Sequence, residues 1–161
     1  MSEDDLTNEA TVYSIYIAST PQKVWDALTK TEFTTKYFFG RSVESDWKKG
    51  SSWLLRMPDG RVDVKGLVRE ANPPKKLVVT WNIDWAPMPL PEAIVTYEIE
   101  DLGTGVVRLT MTEDHPTPIP AKLLEGGRKG WPMILSGLKS LVETGKPLPM
   151  PTPQPPKELQ K

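Results

Sequence analysis

Most of the chain runs in short stretches where apolar and polar residues alternate. Tyr13, Ile15 and Ile17 share one parity and Ser14, Tyr16 and Ala18 the other, the period-two pattern of a half-buried strand. Trp53, Leu55 and Met57 also share a parity. Val62, Val64, Gly66 and Val68 alternate with Arg61, Asp63, Lys65 and Arg69, with Leu67 on the outer side. Leu77, Val79, Trp81, Ile83 and Trp85 form a one-sided set. Ala93, Val95, Tyr97 and Ile99 oppose Thr96, Glu98 and Glu100, and Val107, Leu109 and Met111 oppose Arg108, Thr110 and Thr112. Pro58-Asp59-Gly60, Asn72-Pro73-Pro74 and Gly103-Thr104-Gly105 punctuate these runs as turns. A further strand is expected over Arg41 to Asp46. Such alternation predicts an antiparallel sheet with one wet face.

Two stretches change period. After Thr20-Pro21, the residues Val24, Trp25 and Leu28 form a helical stripe; Thr20 suits the N-cap and Pro21 the first helical position, where its missing N–H costs nothing. A Ser19 to Gln22 capping box is the competing register. A short turn or helix follows through Phe33 and Tyr37. Near the C-terminus, Trp131, Ile134, Leu135, Leu138, Leu141 and Val142 recur on one helical face, and Gly145 then Pro147 end it. Because Pro132 favours a first turn, this helix is expected from about Lys129 to Thr144, a length of ~24 Å. Leu123 and Leu124 then belong to a preceding turn.

The order is therefore one strand, one or two short helices, six strands and one long helix, an α+β arrangement. A six- or seven-stranded antiparallel sheet has an apolar concave face, and a single amphipathic helix laid along it leaves room beside itself. Residues 1–10 are expected to be loose and 11–145 to form the domain. The segment from Lys146 to Lys161 holds six of the seventeen prolines and reads as an extended tail.

The stretch from Ile15 to Thr29, with Ser19-Thr20-Pro21 leading into Val24-Trp25-Asp26-Ala27-Leu28-Thr29, resembles the opening of START-like (SRPBCC) domains. It is most similar to the branch named after the activator of heat-shock-protein-90 ATPase homologue. Tyr37-Phe38-Phe39, Leu77-Val78-Val79-Thr80-Trp81, Val95-Thr96-Tyr97-Glu98, Val107-Arg108-Leu109-Thr110-Met111-Thr112 and Gly130-Trp131 through Gly145 follow in the same order. The resemblance implies the helix-grip fold: a seven-stranded antiparallel sheet wrapped around a long C-terminal helix, with two short helices after the first strand. It implies binding of lipids, sterols, polyketides or other apolar molecules, and in some members cyclase or dehydratase activity. The chaperone-activating members carry a separate N-terminal domain, whereas about ten residues precede the first strand here; the branch name is therefore not expected to be the function.

Composition narrows the chemistry. The 161 residues carry a net charge of −1 with both signs interspersed, unlike the one-sided positive charge of a nucleic-acid binder. No apolar run approaches the ~20 residues of a membrane span, and the acidic start Ser2-Glu3-Asp4-Asp5 is unlike a secretory leader. The chain has no cysteine and only one histidine, so neither a metal site nor any cofactor is expected, and a cytoplasmic location fits. Gly126-Gly127-Arg128-Lys129-Gly130 follows no strand and lacks the ending of a phosphate loop. Ser136 and Ser140 lie on the helix without a Gly-x-Ser-x-Gly elbow. Glu113 and His115 continue the inward parity of Leu109 and Met111; with Tyr97 they are the candidates for acid–base work.

Aromatic residues carry the leading functional reading. The candidate cavity residues are Phe38, Phe39, Trp53, Leu55, Met57, Trp81, Trp85, Tyr97, Met111, His115, Trp131, Leu135 and Leu138. They suit a small apolar or aromatic ligand needing one or two hydrogen bonds, in a pocket of roughly 300 Å3 or more. The loop from Trp85 to Pro91 is placed to gate the entrance or to meet a second subunit, so a monomer or a homodimer is expected. The other readings are a cyclase- or dehydratase-type enzyme using the same cavity, and a stress- or chaperone-related interaction protein.

Overall fold

The computed structural model describes residues 5–84 and 90–151. A long helix lies against an antiparallel sheet of seven strands. The strands are β2 (Thr11–Ile17), β3 (Ser42–Ser45), β4 (Ser52–Arg56), β5 (Val62–Asn72), β6 (Lys76–Ile83), β7 (Ala93–Asp101) and β8 (Val107–Asp114), in the spatial order β2-β8-β7-β6-β5-β4-β3. Helices α1 (Pro21–Thr29) and α2 (Thr31–Tyr37) follow β2, and α3 (Ala121–Thr144) closes the fold. The period-two runs thus become strands, the expected weak strand becomes β3, and the architecture is the helix-grip.

Alternation does the sorting. Ile17, Val95, Val107, Leu109 and Met111 are fully buried on the inner face. Each such aliphatic side chain contributes about 1.5–3 kcal/mol relative to exposure. At α1 the Thr20 register wins: its hydroxyl accepts from the Lys23 amide at 3.3 Å, with Pro21 in the first turn.

Helix α3 begins at Ala121, eight residues before the expected start, so Pro132 sits inside it. A proline there cannot donate to the carbonyl four residues back, which is that of Arg128. The Tyr13 hydroxyl donates to that Arg128 carbonyl at 3.1 Å instead. A side chain from β2 thus fills the gap the proline leaves. The first turn is tied down by the N-terminus, where Leu6–Thr7 (β1), within the stretch expected to be loose, pairs with Ile119–Pro120 (β9), and the Ala121 amide donates to the Asp5 carbonyl at 3.1 Å. Gly145, at φ 84°, ends the helix as expected, its N–H donating to the Leu141 carbonyl.

The same helix covers an edge. β2 is the terminal strand of the sheet, and a bare edge invites pairing with another chain. Arg128 donates to the Ala10 carbonyl at 3.1 Å and Lys139 to the Tyr16 carbonyl at 2.6 Å, while Glu143 accepts the Ala18 amide at 2.7 Å. Close approach of α3 to α2 depends on Gly137, where an added Cβ would lie 3.2 Å from Tyr37 Cβ. Among the described residues, no helix is long and apolar enough to cross a membrane.

Candidate functional site

A chamber lies between α2 and the inner face of β3 to β7. Trp53, Leu55, Leu77, Val79, Trp81 and Tyr97 form its sheet wall, and Leu28, Thr34, Tyr37 and Phe38 close it from the helices. Val43 and Trp47 complete the rim. Its free space is about 20 Å3, enough for one water rather than the roughly 300 Å3 expected for a ligand pocket. The reason is aromatic bulk. Trp47, Trp53, Trp81 and Trp131 form a chain with ring centroids 6.4, 5.2 and 5.4 Å apart, and Phe38 meets both Trp81 and Trp131. The rings meet at tilts of 32° to 53° along the tryptophan chain, not as parallel stacks.

Local irregularity aims these rings. Between β5 and β6 the register pairs Lys65 with Asn82 and Val68 with Val79, yet Gly66 and Leu67 are left out of the ladder. Thr80 has moved into the gap: its carbonyl accepts the Trp53 indole N–H at 2.8 Å and its hydroxyl accepts the Leu67 amide at 2.8 Å. Only a residue without a Cβ fits opposite, since a Cβ at Gly66 would stand 2.0 Å from the Thr80 oxygen. Trp53 is thereby anchored in the chamber wall by a sheet carbonyl.

A second irregularity corrects the sequence reading of Asp63. Leu55 pairs with Val64 and Arg56 with Val62, so Asp63 is the extra residue of a bulge and turns inward, contrary to its outer parity. It is buried and accepts from Arg41 Nε at 2.9 Å, while Arg41 Nη1 donates to the Phe39 carbonyl at 2.8 Å. This clasp holds the turn that follows α2, where Phe39 has φ 49° and Gly40 φ 76°. A phenylalanine in the left-handed region is strained unless its surroundings hold it. The rim beyond is stitched as well: Thr31 Oγ1 bonds both the amide and the carbonyl of Val43 at 2.8 Å, and Trp47, itself at φ 55°, donates its indole N–H to the Thr29 carbonyl at 2.9 Å.

The polar end of the interior lies under the start of α3. Glu113 and His115 are both buried, with His115 Nε2 3.4 Å from Glu113 Oε1. That pair is not aligned as a hydrogen bond, and neither ring nitrogen has a hydrogen-bond partner among the described residues. The other Glu113 oxygen accepts the Trp131 indole N–H at 3.3 Å. Burial, and secondarily the Glu113 carboxylate, push the Tyr97 phenol well above its ordinary range. Burial and then Tyr97 do the same to Tyr37, whose hydroxyl donates to the Ala27 carbonyl at 2.7 Å. Both phenols therefore stay neutral rather than ionising to a base. No cluster of His, Asp and Glu able to hold a metal occurs among the described residues.

Of the residues expected from sequence, the chamber brings together Phe38, Trp53, Leu55, Trp81 and Tyr97. Trp131 backs it through Phe38, Trp81 and Tyr97. Met111, Leu135 and Leu138 are core residues, and His115 belongs to the polar end, apart from the chamber walls. Phe39 packs on the core from the strained turn, and Met57 sits in the turn after β4 with its amide bonded to the Arg61 carbonyl. Trp85 lies outside the described residues. Leu28, Thr34, Tyr37, Val43, Trp47, Leu77 and Val79 were missed; Leu77 and Val79 share the parity of Trp81 and were passed over as aliphatic core, whereas parity within strands carries no signal for what the helices and the rim supply.

Residues 18–143 match the family model described as activator of Hsp90 ATPase homolog 1-like protein. The chain belongs to that family. No functionally curated protein matches it. Among solved structures, protein MLL2253 from Mesorhizobium loti is similar with a TM-score of 0.71 at 24% identity, over 83% of this chain and 96% of that one. PFC0360w from Plasmodium falciparum, described as an HSP90 activator, gives 0.62 at 24% identity, over 76% of this chain and 86% of that one. DynU16, described as a putative protein of the dynemicin biosynthetic locus, gives 0.73 at 20% identity, over 88% of this chain and 49% of that one. Membership of the activator of Hsp90 ATPase homolog 1-like family places the chain in the START-like superfamily, in agreement with the helix-grip.

Proposed function

We propose that this activator of Hsp90 ATPase homolog 1-like protein binds a small apolar or aromatic molecule in the chamber under α2. The observation that carries this reading is a tryptophan-walled space that is incompletely filled, at the one part of the sheet where the ladder is broken to orient the rings. A ligand enters as Phe38 and Trp81 move aside, and the strained Phe39 turn is the segment whose relaxation allows it. The test is a titration with toluene followed through the indole N–H resonances in 1H–15N NMR. Saturable shifts of Trp47 and Trp53 are expected. Val43→Phe, which fills the chamber from β3, is expected to abolish them, whereas Val12→Phe on the outer face leaves them intact. Absence of saturable shifts in the unmodified protein defeats the proposal.

Acid–base catalysis is the second reading, supported by the buried Glu113 and His115 pair. Its signature is turnover lost in Glu113→Gln with ligand binding retained. A structural neighbour described as an HSP90 activator supplies a third class, chaperone interaction; at 24% identity that likeness carries the fold and not the partner.

A further inference from the structure

We propose that the Thr34 hydroxyl is the specificity hook of the chamber, and that the ligand is an uncharged aromatic molecule carrying one hydrogen-bonding oxygen. The inference rests on the chamber being a ligand site. Thr34 lies on α2, is 1% exposed, and its Oγ1 has no hydrogen-bond partner among the described residues. Threonines inside helices usually return the hydroxyl to the carbonyl four residues back. Three others in this protein do so: Thr29 to Trp25, Thr35 to Thr31 and Thr144 to Ser140, at 2.7–2.9 Å. Thr31 bonds Val43 instead, which leaves Thr34 as the helical threonine without a partner among the described residues, and it is the one that lines the chamber. A buried hydroxyl without a protein partner is destabilising unless an occupant of the chamber, a water or a ligand oxygen, supplies one.

The rest of the lining defines that occupant. Tryptophan and phenylalanine faces suit a flat ring. Tyr97, held neutral, adds a phenol to the same wall. Among the described residues no Lys, Arg, His, Asp or Glu lines this chamber, so a carboxylate buried there finds no counter-charge and is rejected by desolvation. A neutral phenol or carbonyl compound satisfies Thr34; a bare hydrocarbon leaves it unpaired.

Three probes of one shape separate the possibilities: toluene, p-cresol and 4-methylbenzoate at pH 7, titrated by 1H–15N NMR. Without a hook, p-cresol binds more weakly than toluene, because its hydroxyl gives up water for nothing. With the hook, p-cresol binds about three- to tenfold more tightly than toluene, the size of one net neutral hydrogen bond, and 4-methylbenzoate gives no saturable shift. Thr34→Val is expected to bring the p-cresol to toluene preference to one or below, and Thr34→Ser to restore it. The Tm of Thr34→Val should equal or exceed that of the parent, because no internal hydrogen bond is lost. Persistence of the preference in Thr34→Val, a fall of several degrees in its Tm, or tight binding of 4-methylbenzoate overturns the hook. Equal binding of toluene and p-cresol to the parent protein overturns it while leaving the chamber reading intact. Failure of both to bind overturns the chamber reading itself.

Discussion

The two halves of the sheet are built differently. From β2 through β8 and β7 to β6 the ladders run without a register shift: Thr11 to Ile17 against Glu113 to Val107, Ile94 to Asp101 against Asp114 to Val107, and Lys76 to Trp81 against Glu98 to Ala93. The inner residues are mostly aliphatic and fully buried. From β6 through β5 and β4 to β3 there are two register shifts, a gap at Gly66, and two residues other than glycine at positive φ on the adjoining turns, Phe39 and Trp47. The inner residues there include Trp53 and the half-buried Trp81, and most of the chamber lies over this half, with Tyr97 joining from β7. An unbroken ladder fixes side chains on strict parity and packs them densely. Breaking it frees a carbonyl for the Trp53 indole, turns a carboxylate inward and leaves rings at oblique angles. The regular half is scaffold and the irregular half is where a site has been made.

The largest test of that contrast is Gly66→Ala. Its Cβ would fall 2.0 Å from the Thr80 carbonyl oxygen, a backbone atom that cannot swing away. Thr80 must then leave the gap, which costs the Trp53 and Leu67 hydrogen bonds as well as the overpacking. A loss of about 3 kcal/mol or more in urea-unfolding free energy is expected. Gly127→Ala, whose Cβ would meet Glu113 Oε1 at 3.5 Å and Trp131 at 3.9 Å in ordinary contact, serves as control and should be stabilised or unchanged. Equal effects at the two glycines would mean that the Gly66 gap has no special standing.

This contrast also explains what was legible in the sequence. The regular strands obey period two, so parity alone named Val95, Tyr97, Leu109 and Met111 as inward. Asp63 obeyed the same rule on paper and broke it in space, because a bulge flips parity without any local sequence mark. The start of α3 was misplaced for a related reason. Pro132 argues for a first turn only if its orphaned carbonyl goes unmet, and the group that meets it, Tyr13, is 115 residues away in sequence. Trp53, Leu55, Trp81 and Tyr97 of the chamber were found because they sit on strands at inward parity. Thr34 and Trp47 were not, since their roles depend on how α2 and the rim loop are laid over the sheet.

A second prediction concerns the place where the halves meet. Tyr97 belongs to the regular half and Tyr37 to α2 over the irregular one, and burial raises both phenols. The folded state keeps these protons while the unfolded chain releases them above about pH 10. The unfolded state then binds fewer protons than the folded one, so the unfolding free energy falls as pH rises beyond 10. Each tyrosine should contribute a slope of about 1.4 kcal/mol per pH unit until the folded phenol itself ionises. Urea midpoints measured between pH 9 and 11 should show the fall. Tyr97→Phe, which exchanges a phenol for a ring of the same shape, should reduce the slope by one tyrosine's share. An unchanged slope in Tyr97→Phe would mean that Tyr97 titrates normally in the folded protein.

The smallest expected effect is the most local. Asp63→Asn keeps the size of the bulged side chain and can still accept from Arg41, but it removes the carboxylate from a largely buried pair. A charge-assisted hydrogen bond becomes a neutral one, at a cost of about 1 kcal/mol in unfolding free energy. The informative readout is where the loss appears. If Asp63 serves to hold the Phe39 turn through Arg41, amide exchange should quicken at the Arg41 N–H, which donates to the Phe38 carbonyl, and stay unchanged in β8. Toluene should also associate faster, because the turn that must relax is already loosened. Uniform acceleration of exchange across β8 and the turn would instead make Asp63 a global stabiliser and erase the distinction between a rigid half and a half that opens.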